Sequence, residues 1–119
     1  MENSFKKLFE YASTQDVALK QGSNAVFMLS ENGRMYHLIS KNTADSKQLL
    51  CELTKLLTND RVICAMICFL PPHQLDLPSF DFRKALAELD LKNRHAAIYL
   101  KGDSLGNSIV KRELYVTMP

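Results

Sequence analysis

Glycine is scarce in this chain of 119 residues, and its four copies are isolated from one another. Gly22, Gly33, Gly102 and Gly106 each stand in a stretch rich in turn-forming residues. A phosphate-binding loop needs several glycines at fixed spacing before a helix. The sequence therefore gives no support to nucleotide binding or to a nucleotide cofactor.

An excess of charge of one sign is also lacking, because 15 Lys and Arg face 13 Asp and Glu and the formal net charge is +2. The basic residues form short groups in four different segments, at Lys6-Lys7, Arg83-Lys84, Lys92/Arg94 and Lys111-Arg112. Nucleic acids and anionic membranes attract concentrated basic patches. A nucleic-acid partner is therefore not expected, and it would require these four groups to gather on one face.

Cysteine is present in three copies, an odd count that suits a disulfide framework poorly. The longest apolar run, residues 61–70, is too short to cross a bilayer, which takes about 20 residues. The first residues carry no apolar core of the kind found in signal peptides. We therefore expect one cytoplasmic domain spanning residues 1–119, with no membrane segment.

The run 61–70 is predicted to be the central strand of the sheet. It contains the β-branched Val62, Ile63 and Ile67 and is closed by Pro71-Pro72. Apolar residues follow one another without alternation, which is typical of a strand covered on both faces. In such a strand the Cα atoms of Cys64 and Cys68 lie about 13 Å apart, too far for a disulfide or for one metal ion. We expect the thiols to be buried and reduced.

The clearest local signal predicts a β-hairpin. Two largely apolar segments, 24–31 and 34–40, flank Asn32-Gly33, the pair most typical of a two-residue hairpin loop in which both residues adopt positive φ.

The remaining elements follow from apolar spacing and capping residues. The predictions are a helix capped by Asn3 or Ser4, an edge strand at 16–20, a helix at 44–58 capped by Thr43, a non-helical proline-rich loop at 71–78, a helix at 80–90 capped by Ser79, a strand at 95–101, a loop at 102–107 and a strand at 108–118. The predicted fold is a single α/β domain, a mixed sheet with helices packed on at least one face, in the order α-β-β-α-β-α-β-β. Helical crossovers would make the strands near residues 65 and 98 parallel.

The tetrapeptide Gly102-Asp103-Ser104-Leu105 resembles the motif that names the GDSL hydrolases, which implies an esterase. In that family the serine opens a helix, and an Asp-x-x-His pair far downstream completes the acid–base part. Here 14 residues follow Leu105, none of them is His or Asp, and they are typical of a strand. Turn chemistry alone explains the tetrapeptide.

The succession of hairpin, helix, strand ending in prolines and helix resembles the layout of the zinc-dependent cytidine deaminases. In those enzymes a His-x-Glu on the first helix and a Pro-Cys-x-x-Cys opening the second hold and use the metal. This chain has Cys51-Glu52 and Pro72-His73 at the matching places and lacks the second pair of cysteines. The resemblance therefore implies a scaffold without the catalytic zinc site.

Because no catalytic, cofactor or metal set is complete, the sequence favours a non-catalytic binding or assembly module that self-associates through a sheet edge as a homodimer. The hairpin and the last strand are the candidate edges, and the candidate contact residues are Phe27, Tyr36, Tyr115 and Met118. The alternative for these four is that they pack in the core of their own protomer.

The alternative function is a small enzyme with hydrolase-type chemistry in a cleft between loops 71–78 and 102–107. If the strands that precede these loops are parallel, both loops lie at the same edge of the sheet. His73, Asp76, Asp103 and Ser104 would then converge.

Overall fold

A computed structural model describes residues 3–15, 18–72, 74–102 and 108–118. The elements in chain order are α1 (Asn3–Thr14), β1 (Ser23–Ser30), β2 (Met35–Lys41), α2 (Ser46–Leu56), β3 (Ile63–Leu70), β4 (Gln74–Asp76), α3 (Phe80–Leu89), the 3₁₀ turn η1 (Leu91–His95), β5 (Ala97–Lys101), β6 (Ile109–Glu113) and the 3₁₀ turn η2 (Leu114–Thr117). The predicted fold class and the order of its main elements are confirmed.

The sheet runs β2-β1-β3-β5-β6, with β3 in the middle as predicted. β3 is antiparallel to β1 and parallel to β5, through the pairs Ala65↔Ala97 and Met66↔Ile98. The short β4 pairs antiparallel with the last residues of β3, on the same side as β5. The carboxyl ends of β3 and β5 therefore lie at the same edge of the sheet.

Both faces of the sheet are covered by helices, which explains why the central strand lacks alternation. α2 and α3 enclose one cluster with side chains of β1, β3 and β5, among them Met28, Met66 and Ile98. α1 covers the other face, where Phe27 and Ile67 are buried. Among the described helices, none combines the length and apolar character needed to cross a membrane.

The hairpin forms as predicted, but its loop is longer than the sequence suggested. The N–H of Gly33 donates to the carbonyl of Ser30 at 3.0 Å, and the N–H of Ser30 donates to the carbonyl of Arg34 at 2.9 Å. Three residues, 31–33, therefore form the loop, and Gly33 has a φ of 82°. A tight turn followed by one residue in the left-handed region is a standard three-residue hairpin, so the predicted two-residue loop is wrong.

One of two predicted helix caps is replaced by a neighbouring residue, and the other is confirmed. Asp45, rather than Thr43, caps α2, because its carboxylate accepts a hydrogen bond from the N–H of Gln48 at 2.8 Å. The predicted cap of α3 is confirmed, since Ser79 Oγ accepts from the N–H of Phe82 at 3.1 Å.

Three other local predictions are corrected or left open. The proline-rich loop contains the short strand β4, and the last strand ends at Glu113 instead of continuing to residue 118. The chain then turns into η2, whose first residue, Leu114, is fully buried. Of the predicted strand at 16–20, residues 18–20 are not in a strand, and residues 16 and 17 lie outside the described part.

A β-bulge in β3 explains why one predicted core cysteine is exposed. Leu29 pairs with Ala65 and Ser30 pairs with Ile63, so Cys64 is an extra residue between two pairs. Cys64 is exposed, as is Cys51 on α2, whereas Cys68 is buried. The expectation of buried thiols on the central strand is therefore wrong for Cys64 and confirmed for Cys68.

The buried amide of Asn93 links η1 to the start of β3 and to α3. Its Oδ1 accepts from the N–H of Ile63 at 2.7 Å, and its Nδ2 donates to the carbonyls of Arg61 and Leu86, both at 2.9 Å. The side chain is fully buried, so these bonds replace its contacts with water. Asn93 thus sets the direction in which the chain enters the central strand.

Candidate functional site

The outer edge of β2 offers a row of backbone donors and acceptors. β1 pairs with β2 over seven positions, from Leu29↔Met35 to Ser23↔Lys41. Two hydrogen bonds at the ends of the ladder, from Ser30 N to Arg34 O and from Asn42 N to Gly22 O, join the two arms of the hairpin. The even-numbered residues of the second arm therefore direct their backbone groups inward, toward β1. Because pairing alternates in an antiparallel ladder, the odd-numbered residues direct their N–H and C=O groups outward. These residues are Met35, His37, Ile39 and Lys41, and no described strand pairs with that side of β2.

From residue 35 to residue 40, β2 lacks the usual protection against pairing, and its one charged residue is the last, Lys41. Residues 35–40 contain no charged residue and no proline, and the Ile39 side chain is 47% exposed. Exposed edges are normally protected by charges, proline or bulges. The opposite edge, β6, carries the consecutive charged residues Lys111, Arg112 and Glu113. The edge of β2 is therefore the more suitable of the two for pairing with another strand.

On the α1 side, an aromatic contact fixes the middle of β2. Tyr11 Oη and His37 Nδ1 lie 2.9 Å apart, and the imidazole stacks on the Phe27 ring at 5.6 Å between centroids. Burial raises the pKa of Tyr11, so the phenol keeps its proton at neutral pH. The His37 side chain is thus engaged within the protomer, while its backbone groups point outward.

On the other face, the carboxylate of Asp60 fixes the tip of the hairpin. It accepts hydrogen bonds from Asn32 Nδ2 at 2.8 Å and from Tyr36 Oη at 3.0 Å. Burial by itself raises the pKa of Asp60, but these hydrogen bonds and the positive charge of Arg34 outweigh that effect, so the pKa lies below its ordinary value. The group is therefore ionised at neutral pH, and β2 is held from both sides.

Of the four predicted contact residues, one is exposed. Phe27 is only 2% exposed in the core beneath α1, and Tyr36 and Met118 pack against the core on the other face. These three residues therefore pack within their own protomer, which was the stated alternative to a contact with a second copy. Tyr115 is 59% exposed, but it lies in η2 and not on an edge strand.

Ile39 was not among the four predicted contact residues. The available signal was the uncharged segment between Arg34 and Lys41 in the second arm of the hairpin. The exposure of Ile39 on a sheet edge follows only once the second arm of the hairpin is known to be the outer strand.

The predicted cleft lies only partly within the described residues. The parallel pairing of β3 and β5 confirms that loops 71–78 and 102–107 follow strands at the same edge. Asp76 is half-buried, and its Oδ1 accepts from the N–H of Leu77 at 2.6 Å. His73, Asp103 and Ser104 lie outside the described part, so their convergence with Asp76 stays a prediction.

The structural context of the GDSL tetrapeptide differs from that of the hydrolases it resembles. Gly102 N–H donates to the carbonyl of Ser108 at 2.7 Å, and Lys101 pairs with Ile109 in an antiparallel ladder. The segment therefore joins two strands of a hairpin, whereas in the hydrolase family the serine opens a helix. The rest of the tetrapeptide, 103–105, lies outside the described residues.

The order of hairpin, helix, strand and helix is present, but the described residues at the positions that match the deaminase motifs do not gather metal ligands. Cys51 is exposed on α2, and one carboxylate oxygen of the neighbouring Glu52 is buried without a hydrogen-bond partner. His73 lies outside the described part. Among the residues that are described, no three His, Cys, Asp or Glu side chains are grouped to hold a metal ion.

His95 occupies an exposed position beside the sheet. Its Nδ1 lies 2.9 Å from Oε1 of Glu113, and both side chains are in contact with solvent. A solvated pair of this kind contributes little to stability, and it gives no sign of a catalytic role.

No protein-family model matches the chain, and a search of curated proteins found no significant match.

Proposed function

We propose that the protein is a small, non-catalytic assembly module of the cytoplasm that forms a homodimer by pairing β2 with the β2 strand of a second copy. This proposal rests on the row of backbone N–H and C=O groups that point outward from β2. The strand carries no charged residue from Met35 to Ser40. Antiparallel pairing about a twofold axis would give every one of these groups a partner and would join the two sheets.

The register of this pairing follows from the positions of the outward groups. With the axis at Leu38, His37 of each copy lies opposite Ile39 of the other, and Met35 lies opposite Lys41. All four outward residues are then used, and the two Lys41 side chains are not opposite one another. An axis at His37 would place the imidazoles of the two copies directly opposite each other. It would also leave Lys41 without a partner in the uncharged segment of the other copy. We therefore favour the axis at Leu38.

The cytoplasmic part of the proposal is supported by the thiols. Cys51 and Cys64 are exposed and unpaired, and Cys68 is unpaired in the core. Oxidising compartments favour disulfides, whereas the cytoplasm keeps thiols reduced.

The dimer is tested by measuring the mass in solution with light scattering coupled to size exclusion. The wild-type protein is expected at twice the chain mass of 13.5 kDa. Ile39→Lys introduces two charges into the interface and is expected to give a monomer at the same concentration. Leu91→Lys makes the same change at a more exposed site outside β2 and should leave the dimer intact. A monomeric wild type, or an Ile39→Lys variant with unchanged mass, would contradict the proposal.

The alternative of a small hydrolase-type enzyme is favoured by one observation. β3 and β5 pair in parallel, so the two strands that precede loops 71–78 and 102–107 end at the same edge of the sheet. It is tested with activated esters: hydrolysis by the wild type that is lost in both Asp76→Asn and Ser104→Ala would support the enzyme. Equal rates of ester hydrolysis for the wild type and the two variants would contradict the enzyme hypothesis.

A further inference from the structure

The loop of the hairpin contains an asparagine followed by a glycine, a pair whose chemistry the proposed function does not use. Asn32 and Gly33 are both exposed at the tip of the hairpin. Apart from its chain neighbours, nothing lies within 4 Å of the position that a Cβ would occupy on Gly33. The loop is therefore open to water, and no side chain shields the backbone nitrogen of Gly33.

The reaction available to this pair is deamidation. The Gly33 nitrogen bonds to Cγ of Asn32, the bond from Cγ to Nδ2 breaks, and Nδ2 leaves as ammonia with the proton of the Gly33 N–H. One water molecule then opens the cyclic imide, which gives aspartate or isoaspartate at position 32. No group is oxidised or reduced, and water is the only co-reactant. Glycine favours ring closure because it has no Cβ to hinder the attack.

Hydrogen bonds engage both reacting groups in the folded hairpin. The leaving nitrogen, Nδ2 of Asn32, donates to Oδ1 of Asp60 at 2.8 Å. The attacking nitrogen, that of Gly33, donates its proton to the carbonyl of Ser30 at 3.0 Å. The hydroxyl of Ser30 also accepts from the N–H groups of Asn32 at 3.2 Å and of Arg34 at 3.1 Å. The tip must therefore open before the ring can close.

The product of deamidation cannot resume the contact with Asp60. Asp60 is only 3% exposed, and its carboxylate is ionised at neutral pH. A second carboxylate in the place of the Asn32 amide would bring two negative charges together without a proton between them, and they would repel. Arg34, the cation that acts on Asp60, supplies one positive charge for the two negative ones. Isoaspartate would also lengthen the backbone of the loop by one carbon atom.

We propose that Asn32 is a deamidation site under the control of Asp60: the closed tip protects the amide, and the acid formed when the tip opens keeps the tip open. Release of ammonia makes the change one-way, so the fraction of altered hairpins grows with the age of the protein. The reaction takes place within one chain. The proposal therefore does not depend on the proposed dimer.

The test measures the rate of deamidation at Asn32 by mass spectrometry of digested samples after incubation at neutral pH. The folded wild type should react at least about tenfold more slowly than the same chain unfolded in guanidinium chloride. Asp60→Asn, shown to be folded by circular dichroism, should react about tenfold faster than the folded wild type, because a neutral acceptor holds Nδ2 less strongly than a carboxylate.

The matched control is Asn93→Ala, which destabilises the fold at the start of β3 and leaves the contacts of Asn32 in place. It should deamidate at Asn32 at nearly the wild-type rate. Equal rates in the folded and unfolded wild type would overturn the proposal. So would an Asp60→Asn variant that reacts no faster than the wild type or than Asn93→Ala.

Two variants of Asn32 test the effect of the product with Asp60 unchanged. At neutral pH, Asn32→Asp should unfold at a lower urea concentration than Asn32→Ala, because the first adds repulsion whereas the second only removes a hydrogen bond. The difference should shrink below about pH 4, where the carboxylates take up protons. Equal unfolding midpoints at neutral pH would show that the acid does not keep the tip open.

Discussion

The phenol of Tyr36 donates a hydrogen bond of 3.0 Å to Oδ2 of Asp60, a residue 24 positions further along the chain. Tyr36 lies on the edge strand β2, and Asp60 lies just before the central strand β3. The same carboxylate also holds Asn32 in the hairpin loop. One ionised side chain thus fixes the edge strand relative to the centre of the sheet.

Replacing Asp60 by Asn is expected to lower the free energy of unfolding by about 1–3 kcal/mol at neutral pH, because donors that faced a carboxylate lose a charged acceptor in a buried site. The pKa of Asp60 in the folded protein lies below its ordinary value of 3.8. Its contribution is therefore complete above the unfolded pKa and is lost as the pH falls through the folded value. Urea unfolding at several pH values should show the difference between wild type and variant shrink below about pH 4.

The matched control for Asp60 is Glu31→Gln, which removes a negative charge at an exposed position of the same hairpin. It should change the stability by less than about 0.5 kcal/mol. A difference between wild type and Asp60→Asn that stays constant from neutral to acidic pH would refute the assigned pKa direction.

The Asn93→Ala substitution is expected to destabilise the fold by about 2–4 kcal/mol, because it leaves the N–H of Ile63 and the carbonyl of Leu86 buried without partners. Asn59→Ala, at an exposed site before β3, should have little effect. Chemical unfolding followed by circular dichroism measures both variants. Similar stabilities for the two would mean that Asn93 does not hold the start of β3.

The three thiols are expected to react with a maleimide in a fixed order. Cys51 is exposed and should react first. Cys64 is also exposed, but burial of its sulfur raises the thiol pKa, so less thiolate is present and it should react more slowly. Cys68 is fully buried, and burial raises its pKa to about 12, so it should react only on unfolding. Mass spectrometry of digested samples gives the order, and early labelling of Cys68 would contradict the structure.

The sequence predicted those parts of the fold that depend on local chemistry or on a strong apolar pattern. Ser79 caps α3, the Asn32-Gly33 pair marks the hairpin, and the closing prolines mark the end of β3. The parallel direction of β3 and β5 was also predicted, because helical crossovers join them. These signals are visible within a few residues or follow from chain connectivity.

Other features depend on partners that are distant in the sequence. The exposure of Cys64 results from a bulge opposite Leu29 and Ser30, which apolar content cannot reveal. The last strand ends early because Leu114 turns into the core, although the residues after it still alternate. Asp60 and Asn93 gain their importance from contacts 24 to 32 positions away. The hairpin was predicted as a candidate edge, but the sheet order is needed to show that β2, and not β1, is the edge strand.

Hydrogen exchange of individual amides in β2, measured by NMR at low and high protein concentration, tests the proposed dimer most directly. The amides of Tyr36, Leu38 and Ser40 bond inward and should be protected at both concentrations. The outward amides of Met35, His37 and Ile39 should become protected only as the concentration rises and β2 pairs with a second copy. If these three amides exchange rapidly at every concentration while their neighbours stay protected, β2 is a free edge and the proposed assembly is wrong.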